Sequence, residues 1–386
     1  MLIKYGHILQ MQPGKISNNK ISDISIKGIN GGFVDNSVKL AILTVVSGYL
    51  EDENILVHGE RFSNTNFLNN FLSYVLNDKR AAPINFDLNI KFDGYKTKDN
   101  ISSNDYDLFL PYSGGADSTA GLLYALDCGL KVKPIYVAFG QKNEKQEIVA
   151  VKKILRKLKI KPTIIRIDIN NYIDQEWKRW KMGIIPARNY LFAAIAASLL
   201  SKSRNKNSQV WVCAHKEEVD NIHTDKSNRF FESCSKIFSE KYKRSVHVVT
   251  PFKNVTKPEI ISYWHKHWEN KYNIFVEETI SCYFGNNCGT CKACINRAIV
   301  FTCLGMQIEN FKTNPFLDKE GIIKTSYIDK FSSLDNERKL DFLYALHEQK
   351  NVLPKELKRF LDLNYKKHQK KVVNRIKLIK KGSHLK

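Results

Sequence analysis

From Asp105 onward the chain alternates short apolar runs with helical patterns, and this alternation constrains the fold more than any other feature. "DLFLPY" leads through a glycine turn into "STAGLLYALDCG", and "VKPIYVAF" leads into "EIVAVKKILRKL". "PTIIRIDI" precedes the long pattern "ARNYLFAAIAASLLSK". The strand "VWVCAH", a helical stretch near "FFESCSKIFSEK" and the strand "VHVVTPF" complete the series. Strands joined in succession through helices pair in parallel, with the helices covering both faces of the sheet. The expected fold is α/β, a doubly wound parallel sheet. Ligands of such sheets sit beyond the carboxyl ends of the strands, near the switch point.

The turn after the first of these strands reads Ser113-Gly114-Gly115-Ala116-Asp117-Ser118. Paired glycines let backbone N–H groups approach an anion with no Cβ in the way. The following helix adds its positive dipole end and free N–H groups. Ser113 and Ser118 add hydroxyl donors. Together these make a pyrophosphate cradle, whereas an ordinary strand-to-helix turn needs only a single glycine. No Gly-Lys-Ser/Thr follows, so γ-phosphoryl transfer in the Walker manner is not expected. An aspartate at the mouth of a phosphate site can help to hold Mg²⁺.

Further on, "SCYFGNNCGTCKAC" places Cys282, Cys288, Cys291 and Cys294 at spacing C-x5-C-x2-C-x2-C. Thiolates so close together fit tetrahedral Zn²⁺, and Gly285 and Gly289 permit the tight loops. Iron–sulfur clusters use related spacing, but no further nearby cysteine or Cys-Pro ending is present. Zinc is therefore the expected metal, and a site with no open position has a structural role. Cys128, Cys213, Cys234 and Cys303 stand in apolar surroundings and are expected to be buried small hydrophobes.

Residues 1–104 carry no readable motif and are expected to form a small α+β domain of unknown role. Within it, "KLAILTVVSGYL" and "INFDLNIKFDGY" read as strands and "NTNFLNNFLSYVLND" as a helix. Residues 96–105 read as a polar linker. Residues 105–306 form the expected α/β domain, and 307–386 a helical, basic extension. "LDNERKLDFLYALHEQ" has helical apolar spacing. Lys366, Lys367, Lys370, Lys371, Arg375, Lys377, Lys380 and Lys381 crowd the last segment.

Net charge is +22, from 61 lysines and arginines against 39 acids. That balance favours anionic partners: nucleotides, nucleic acid or an acidic protein. A chain rich in Lys, Ile and Asn is also what an AT-rich genome encodes, so total charge names no partner by itself. No apolar run approaches the roughly 20 residues of a membrane span. No signal-peptide pattern is read at the N-terminus, and a cytoplasmic location without membrane contact is expected. There, the 8 cysteines point to metal or chemistry before disulfides.

"SGGADS" is similar to the Ser-Gly-Gly-x-Asp-Ser signature of the PP-loop ATP pyrophosphatases. That resemblance implies cleavage of ATP between the α and β phosphates, with AMP transferred to an acyl or amide oxygen. Combined with "SCYFGNNCGTCKACINRAIVF", it resembles the QueC family. Members of that family convert 7-carboxy-7-deazaguanine to 7-cyano-7-deazaguanine with ATP and ammonia. "VAFGQKNE" is similar to the family strand ending in Tyr-Gly-Gln-Arg-His, and "IPARNYLFAAIAASL" to its Pro-Gly-Arg-Asn-x-x-Phe helix. "TPFKNVTKPEII" is similar to Thr-Pro-Leu-x-x-x-x-Lys-x-Glu-Ile. The resemblance covers about residues 105–306. It implies that Ser113, Gly114, Gly115, Asp117 and Ser118 hold the ATP phosphates and Mg²⁺. It implies that Gly140, Gln141 and Asn189 lie near the nucleotide or deazaguanine. Arg188 and Lys257 would then meet the substrate carboxylate or the leaving pyrophosphate.

Departures from the family pattern gather at one edge. The family's Arg-His is Lys142-Asn143 here, and its Tyr-Pro-Asp-Cys segment is replaced by "HTDKSNRFF". Asp225 there keeps the acid while Lys226 replaces the cysteine. With residues 1–104 added, the chain looks more like the QueC-like proteins of antiphage defence, the QatC and CBASS-associated types. Those relatives imply a different acceptor: the deazaguanine is joined by an amide to an amine of a partner protein from the same operon. A protein acceptor would need an open groove around residues 223–231. A PP-loop tRNA-modifying enzyme is a rival reading that the basic tail would suit, but no sulfur-carrying loop is evident. A binding module without catalysis is a second rival, and the intact "SGGADS" argues against it.

Overall fold

The structure is a computed structural model. It describes residues 2–5, 7–13, 23–27, 35–47, 55–58, 84–87, 105–168, 185, 187–220, 225–308, 311–317, 327–328 and 331–381. Its strands are β1 (Leu2–Tyr5), β2 (His7–Pro13), β3 (Asp23–Lys27), β4 (Ile55–His58) and β5 (Ile84–Asp87), then β6 (Leu108–Pro111), β7 (Val132–Ala138), β8 (Thr163–Asp168), β9 (Gln209–Trp211) and β10 (His247–Val249). They form one sheet in the order β10-β9-β6-β7-β8-β3-β1-β2-β4-β5. The β10-β9-β6-β7-β8 half is wholly parallel, as the β–α alternation requires. β3 adds antiparallel to β8, with Ser25 opposite Asp168, so the N-terminal strands prolong the sheet at that edge.

Among the helices of the described residues are α1 (Asn36–Ser47), α2 (Ala116–Asp127), α3 (Glu144–Lys157), α4 (Arg188–Ser201), α5 (Lys216–Val219) and α6 (Asn228–Tyr242). After them come α7 (Lys257–Tyr263), α8 (Lys292–Leu304), α9 (Asn336–Glu348) and α10 (Lys355–Lys381). Strand alternation divides the apolar residues between the faces of the sheet. Phe109, Ile135, Val137 and Val210 pack with α1, α4 and α6 on one face. Leu108, Leu110, Tyr136 and Trp211 pack with residues of α2, α3, α7 and α8 on the other. Burial on both faces explains why these strands read as continuous apolar runs.

The segment "KLAILTVVSGYL", expected as a strand, is largely the helix α1. Val38, Ala41, Ile42 and Val45 recur at helical spacing and are buried against the residues of α4. Asp35 Oδ1 caps its start, accepting from Ser37 N at 2.8 Å and Val38 N at 3.2 Å. Ile84–Asp87 is the only part of "INFDLNIKFDGY" that is described, and it is a strand. The helix expected over 64–78 and nearly all of the linker at 96–105 lie outside the described residues. Cys213, Cys234 and Cys303 are buried as expected, but Cys128 is exposed, because it caps the carboxyl end of α2 at the surface.

The C-terminal helices dock on the α/β domain through α8. One side of α8 gives Val300 and Phe301 to the sheet core. Its other side gives Ile295, Ala298, Ile299 and Cys303 to a core shared with α9 and α10. Leu357, Leu361, Val372, Ile376 and Ile379 form the buried side of α10. Arg375, one of the cations that crowd the last segment, is buried in this interface, because its helix phase matches Val372 and Ile379. Among the described residues no helix is long and apolar enough to cross a membrane.

Candidate active site

Strand β6 lies between β7 and β9. The chain builds outward on one side through β7 and β8, then returns to add β9 and β10 on the other. The carboxyl ends of β6 and β9 therefore diverge, which is the switch point of the sheet. A cleft of about 330 Å³ opens there. Of the residues expected at the site, Ser113, Gly115, Asp117, Ser118, Gln141, Arg188, Asn189 and Lys257 all line it. Gly114, Gly140 and Asp225 do not, although Lys226 beside Asp225 does.

The loop at 113–118 is held by its own serines. Ser118 Oγ lies 3.3 Å from Ser113 Oγ and donates to Gly115 O at 3.2 Å, while Gly115 N donates to Ser113 Oγ at 3.3 Å. Gly114 has φ +71°, and a Cβ there would stand 3.1 Å from Val151 N and 3.2 Å from Ala150 Cβ. Glycine is thus required both by conformation and by the close approach of α3. Asp117, in the first turn of α2, meets Lys257 from the first turn of α7, with Nζ 2.9 Å from Oδ1 and 3.1 Å from Oδ2. Oδ1 is buried and accepts no well-directed hydrogen bond. A buried carboxylate oxygen with spare lone pairs, beside an N–H-lined loop, fits a divalent cation and a polyphosphate.

The second wall comes from the end of β7 and the start of α3. Gln141 Nε2 donates to Glu147 Oε2 at 2.9 Å, Asn143 Nδ2 to Glu147 Oε1 at 2.9 Å, and Tyr136 OH to Glu147 Oε2 at 3.0 Å. Burial pushes the Glu147 carboxyl up, and these bonds and the Arg188 charge only partly oppose it. Gly140 sits behind this wall, its N–H on Glu144 Oε2 at 2.9 Å. Arg188 opens α4 directly after Ala187, which has φ +50°. The family pattern has glycine at that position, so alanine bears the left-handed conformation at a cost of roughly 1–2 kcal/mol.

At the end of β9 the chain turns into a run of charges. His215 Nδ1 lies 2.5 Å from Glu217 Oε2, and His215 Nε2 lies 3.5 Å from Glu218 Oε2. Lys226 Nζ donates to both Glu218 oxygens at 2.9 and 3.0 Å. Burial alone would raise the Glu217 carboxyl, but His215 and its hydrogen bond bring it down to about 2. Burial opposes protonation of His215, and the carboxylates of Glu218 and Glu217 outweigh it, so its pKa is raised. The result is an alternating chain of negative and positive groups along one side of the cleft.

The four cysteines converge. Sγ atoms of Cys282, Cys288, Cys291 and Cys294 all lie within 4.8 Å of one another, a cage that can hold a metal ion. Phe284 N and Cys288 N point at Cys282 Sγ at 3.4 and 3.5 Å, and Cys291 N at Cys288 Sγ at 3.4 Å. Such N–H donors suit thiolates in a tetrahedral zinc site. Gly289 has φ +81°, and a Cβ there would overlap Thr313 O at 1.7 Å. The loop is tied to both walls of the cleft: Ile280 N donates to Gly114 O at 3.1 Å and Asn143 Nδ2 to Cys282 O at 3.2 Å.

A parallel switch-point sheet, a glycine–serine phosphate loop and an adjoining cysteine cage define an α/β nucleotide-binding domain of PP-loop type. The chain belongs to the QueC family: the family of queuosine biosynthesis protein QueC matches residues 109–305, just over half of the chain. It is similar to the 7-cyano-7-deazaguanine synthase of Leptospira interrogans, 26% identical over 55% of this chain and 92% of that protein. The synthase of Methanocaldococcus jannaschii is 26% identical over 50% of this chain and 94% of its own length. That of a Marinomonas species is 29% identical over 53% of this chain and 94% of its own length.

Sequence reasoning missed Glu147, His215, Glu217, Glu218 and Arg338 as cleft residues. The run "HKEE" directly after an apolar strand carried a usable signal, since switch-point ligands meet strand ends. Arg338 carried none, because it comes from α9.

Proposed function

We propose that this chain is a cytoplasmic ATP-dependent enzyme that adenylates the carboxylate of 7-carboxy-7-deazaguanine and passes the acyl group to an amine. The observation that carries this reading is the meeting of the 113–118 loop, Asp117 and Lys257 at the switch point. Residues 105–306 act as the catalytic domain, 1–104 as an added domain and 307–386 as an extension. In the first step a carboxylate oxygen attacks the α-phosphorus and pyrophosphate leaves with the bridging oxygen. Loop N–H groups, Ser113 and Ser118 hold the departing pyrophosphate, and Lys257 and Arg188 neutralise it. Asp117 would hold Mg²⁺, which would supply charge compensation on the phosphates. Gln141 and Asn189 orient the acid, and the zinc cage fixes the chain beside them. In the second step the amine nitrogen attacks the acyl carbon, AMP departs with the C–O electron pair, and a proton passes to water.

We assign the amine to the N-terminus of a partner protein in antiphage defence, giving an amide. Support comes from Lys226 and Asn143, which line the cleft where the family pattern has cysteine and histidine. A free N-terminal amine, with reference pKa about 7.7–8.0, is more readily neutral than lysine at about 10.4. Of the expected groove at 223–231, residues 223–224 lie outside the described residues, and Lys226 alone of the rest lines the cleft. Use of ammonia to make 7-cyano-7-deazaguanine is the second reading, favoured by the names of the relatives. The exposed lysines of α10 further offer a surface to nucleic acid or an acidic partner. The test supplies ATP, the acid, ammonia and the neighbouring-gene proteins together, then measures pyrophosphate and intact masses. Mass added to a partner's N-terminus is expected. Nitrile with no protein adduct would assign the ammonia reaction, and no acid-dependent pyrophosphate would sink both.

A further inference from the structure

The matched family segment ends at residue 305, yet one cleft-lining cation comes from beyond it. Arg338 stands in the first turn of α9, where Asp335 Oδ1 accepts its backbone N–H at 2.7 Å. Its helix is clamped from several directions. Lys216 reaches Glu337 at 2.5 Å, Arg375 reaches Asp341 at 3.0 Å, and Phe342, Leu343 and Leu346 are fully buried. The backbone that carries Arg338 is therefore fixed.

Its guanidinium is not spent. The nearest carboxylate oxygen, Asp335 Oδ2, is 3.7 Å from Nε, and the guanidinium makes no hydrogen bond among the described residues. The buried arginines Arg297 and Arg375 behave differently. Arg297 donates to Thr279, Ser281 and Val276, and Arg375 to Asp341, Glu259 and Thr256. Nearby Glu217 acts on it through charge but makes no hydrogen bond to it, and its Oε2 lies 2.5 Å from His215 Nδ1. About a quarter of the Arg338 side chain, 24%, remains exposed where it lines the cleft. A guanidinium carried on a fixed backbone, with its donors open, is matched to a planar oxyanion, which it takes by paired hydrogen bonds.

We infer that Arg338 is a ligand-contacting residue, an oxyanion subsite that the C-terminal helices add to the cleft. The oxyanion is a carboxylate or phosphate of the bound substrate. Naming it as the carboxylate of the deazaguanine acid or the phosphate of the nucleotide rests on the function proposed above; the subsite itself does not.

The experiment is titration calorimetry on the full chain, its Arg338→Gln variant and its Arg338→Lys variant. Three probes are used singly: α,β-methylene ATP with Mg²⁺, 7-carboxy-7-deazaguanine, and inorganic pyrophosphate. Arg338→Gln is expected to weaken one of the organic probes at least tenfold and to leave the other within twofold. Arg338→Lys, which keeps the charge without the fork, should fall between and guards against a folding defect, checked by thermal melting. Loss in the nucleotide arm assigns a phosphate, and loss in the acid arm assigns the carboxylate. Binding of pyrophosphate alone, dependent on Arg338, would keep the subsite and remove the deazaguanine reading. If binding of no probe depends on Arg338, the subsite is overturned.

Discussion

Helix α7 is held at its first turn by charged contacts from different regions, and the contacts are built differently. From the cleft, Asp117 meets Lys257 with 25% and 19% of the side chains exposed. From the C-terminal extension, Arg375 reaches Thr256 Oγ1 at 2.7 Å, Glu259 Oε1 at 2.6 Å and Asp341 Oδ1 at 3.0 Å, with Arg375 and Asp341 only 7% and 3% exposed. The cleft pair is partly solvated, so an incoming cation or phosphate can take the place of either partner at small cost. The buried network has no such freedom, because any charge left unpaired there is far from water. The first turn of α7 thus carries a rigid anchor on one side and an exchangeable contact on the other. The anchor also includes the cysteine loop, which binds Gly114 O through Ile280 N.

The largest effect should come from the cysteine cage. Metal analysis is expected to find about one zinc per chain, and Cys291→Ser should lose it. Binding free energy of a structural zinc is folding free energy, on the order of 10 kcal/mol in isolated zinc peptides, so the variant should be recovered partly unfolded. Finding iron, or a folded metal-free chain, would remove the cage from the anchor.

The comparison itself is tested by changing each contact in turn. Arg375→Met leaves Asp341 buried without its partner, and urea unfolding should register a loss of about 3–5 kcal/mol. Asp117→Asn should cost less than about 1 kcal/mol of stability, yet it should cut pyrophosphate release by about 10³-fold or more, as loss of a charge-stabilising group does. Equal stability losses in the two variants would mean that the cleft pair is as structural as the buried one.

The charge chain at the end of β9 sharpens the picture through pH. Glu217 has its carboxyl lowered from 4.5 to about 2, so its contribution is full above pH 4.5 and is lost as pH falls toward 2. His215 is raised, so its contribution is full below 6.5 and is lost as pH rises past its folded value. Between them they favour a stability plateau on the mildly acid side of neutrality. Glu217→Gln should flatten the acid limb by about 3 kcal/mol, read from urea midpoints between pH 5 and pH 2. An acid limb unchanged by the substitution would place the sensitivity elsewhere.

These regions also differ in how legible they are. The parallel sheet, the glycine loop and the cysteine cage are local in sequence: a strand end, a turn and a spacing specify each of them. Lys257 was readable only by likeness to a family helix, and its partner Asp117 lies 140 residues away. Glu147 and His215 acquire their chemistry from burial and from neighbours brought in by the sheet order. Arg338 and Arg375 depend on the docking of α9 and α10 against α8, which no local pattern encodes. Apolar segments mislead when length cannot arbitrate, and the sequence of α1 reads as a strand because its aliphatic run suits either period.

The smallest effect concerns the outer side of α10, opposite Arg375. Lys366, Lys370 and Lys377 are exposed there, and Lys367 and Lys371 are exposed nearer the Arg375 side. Lys370 stands three and four residues from Lys367 and Lys366, the separations at which helix side chains face each other. Like charges at those separations destabilise a helix by about 0.2–0.5 kcal/mol per pair. Lys370 also belongs to a chain of net charge +22, so every added acid relieves some self-repulsion. Lys370→Glu should therefore raise stability by up to about 0.5 kcal/mol, and the gain should vanish near 1 M salt, where the screening length is about 3 Å. Mid-helix placement keeps the helix dipole out of the balance. Retention of duplex DNA at low salt should fall in the same variant if the row is a polyanion dock, and it should fall in wild type as salt rises. A loss above about 1 kcal/mol would contradict the solvated reading of this side, since only a residue engaged in packing or a buried pair costs that much. The contrast between the inner and outer sides of α10 would then collapse.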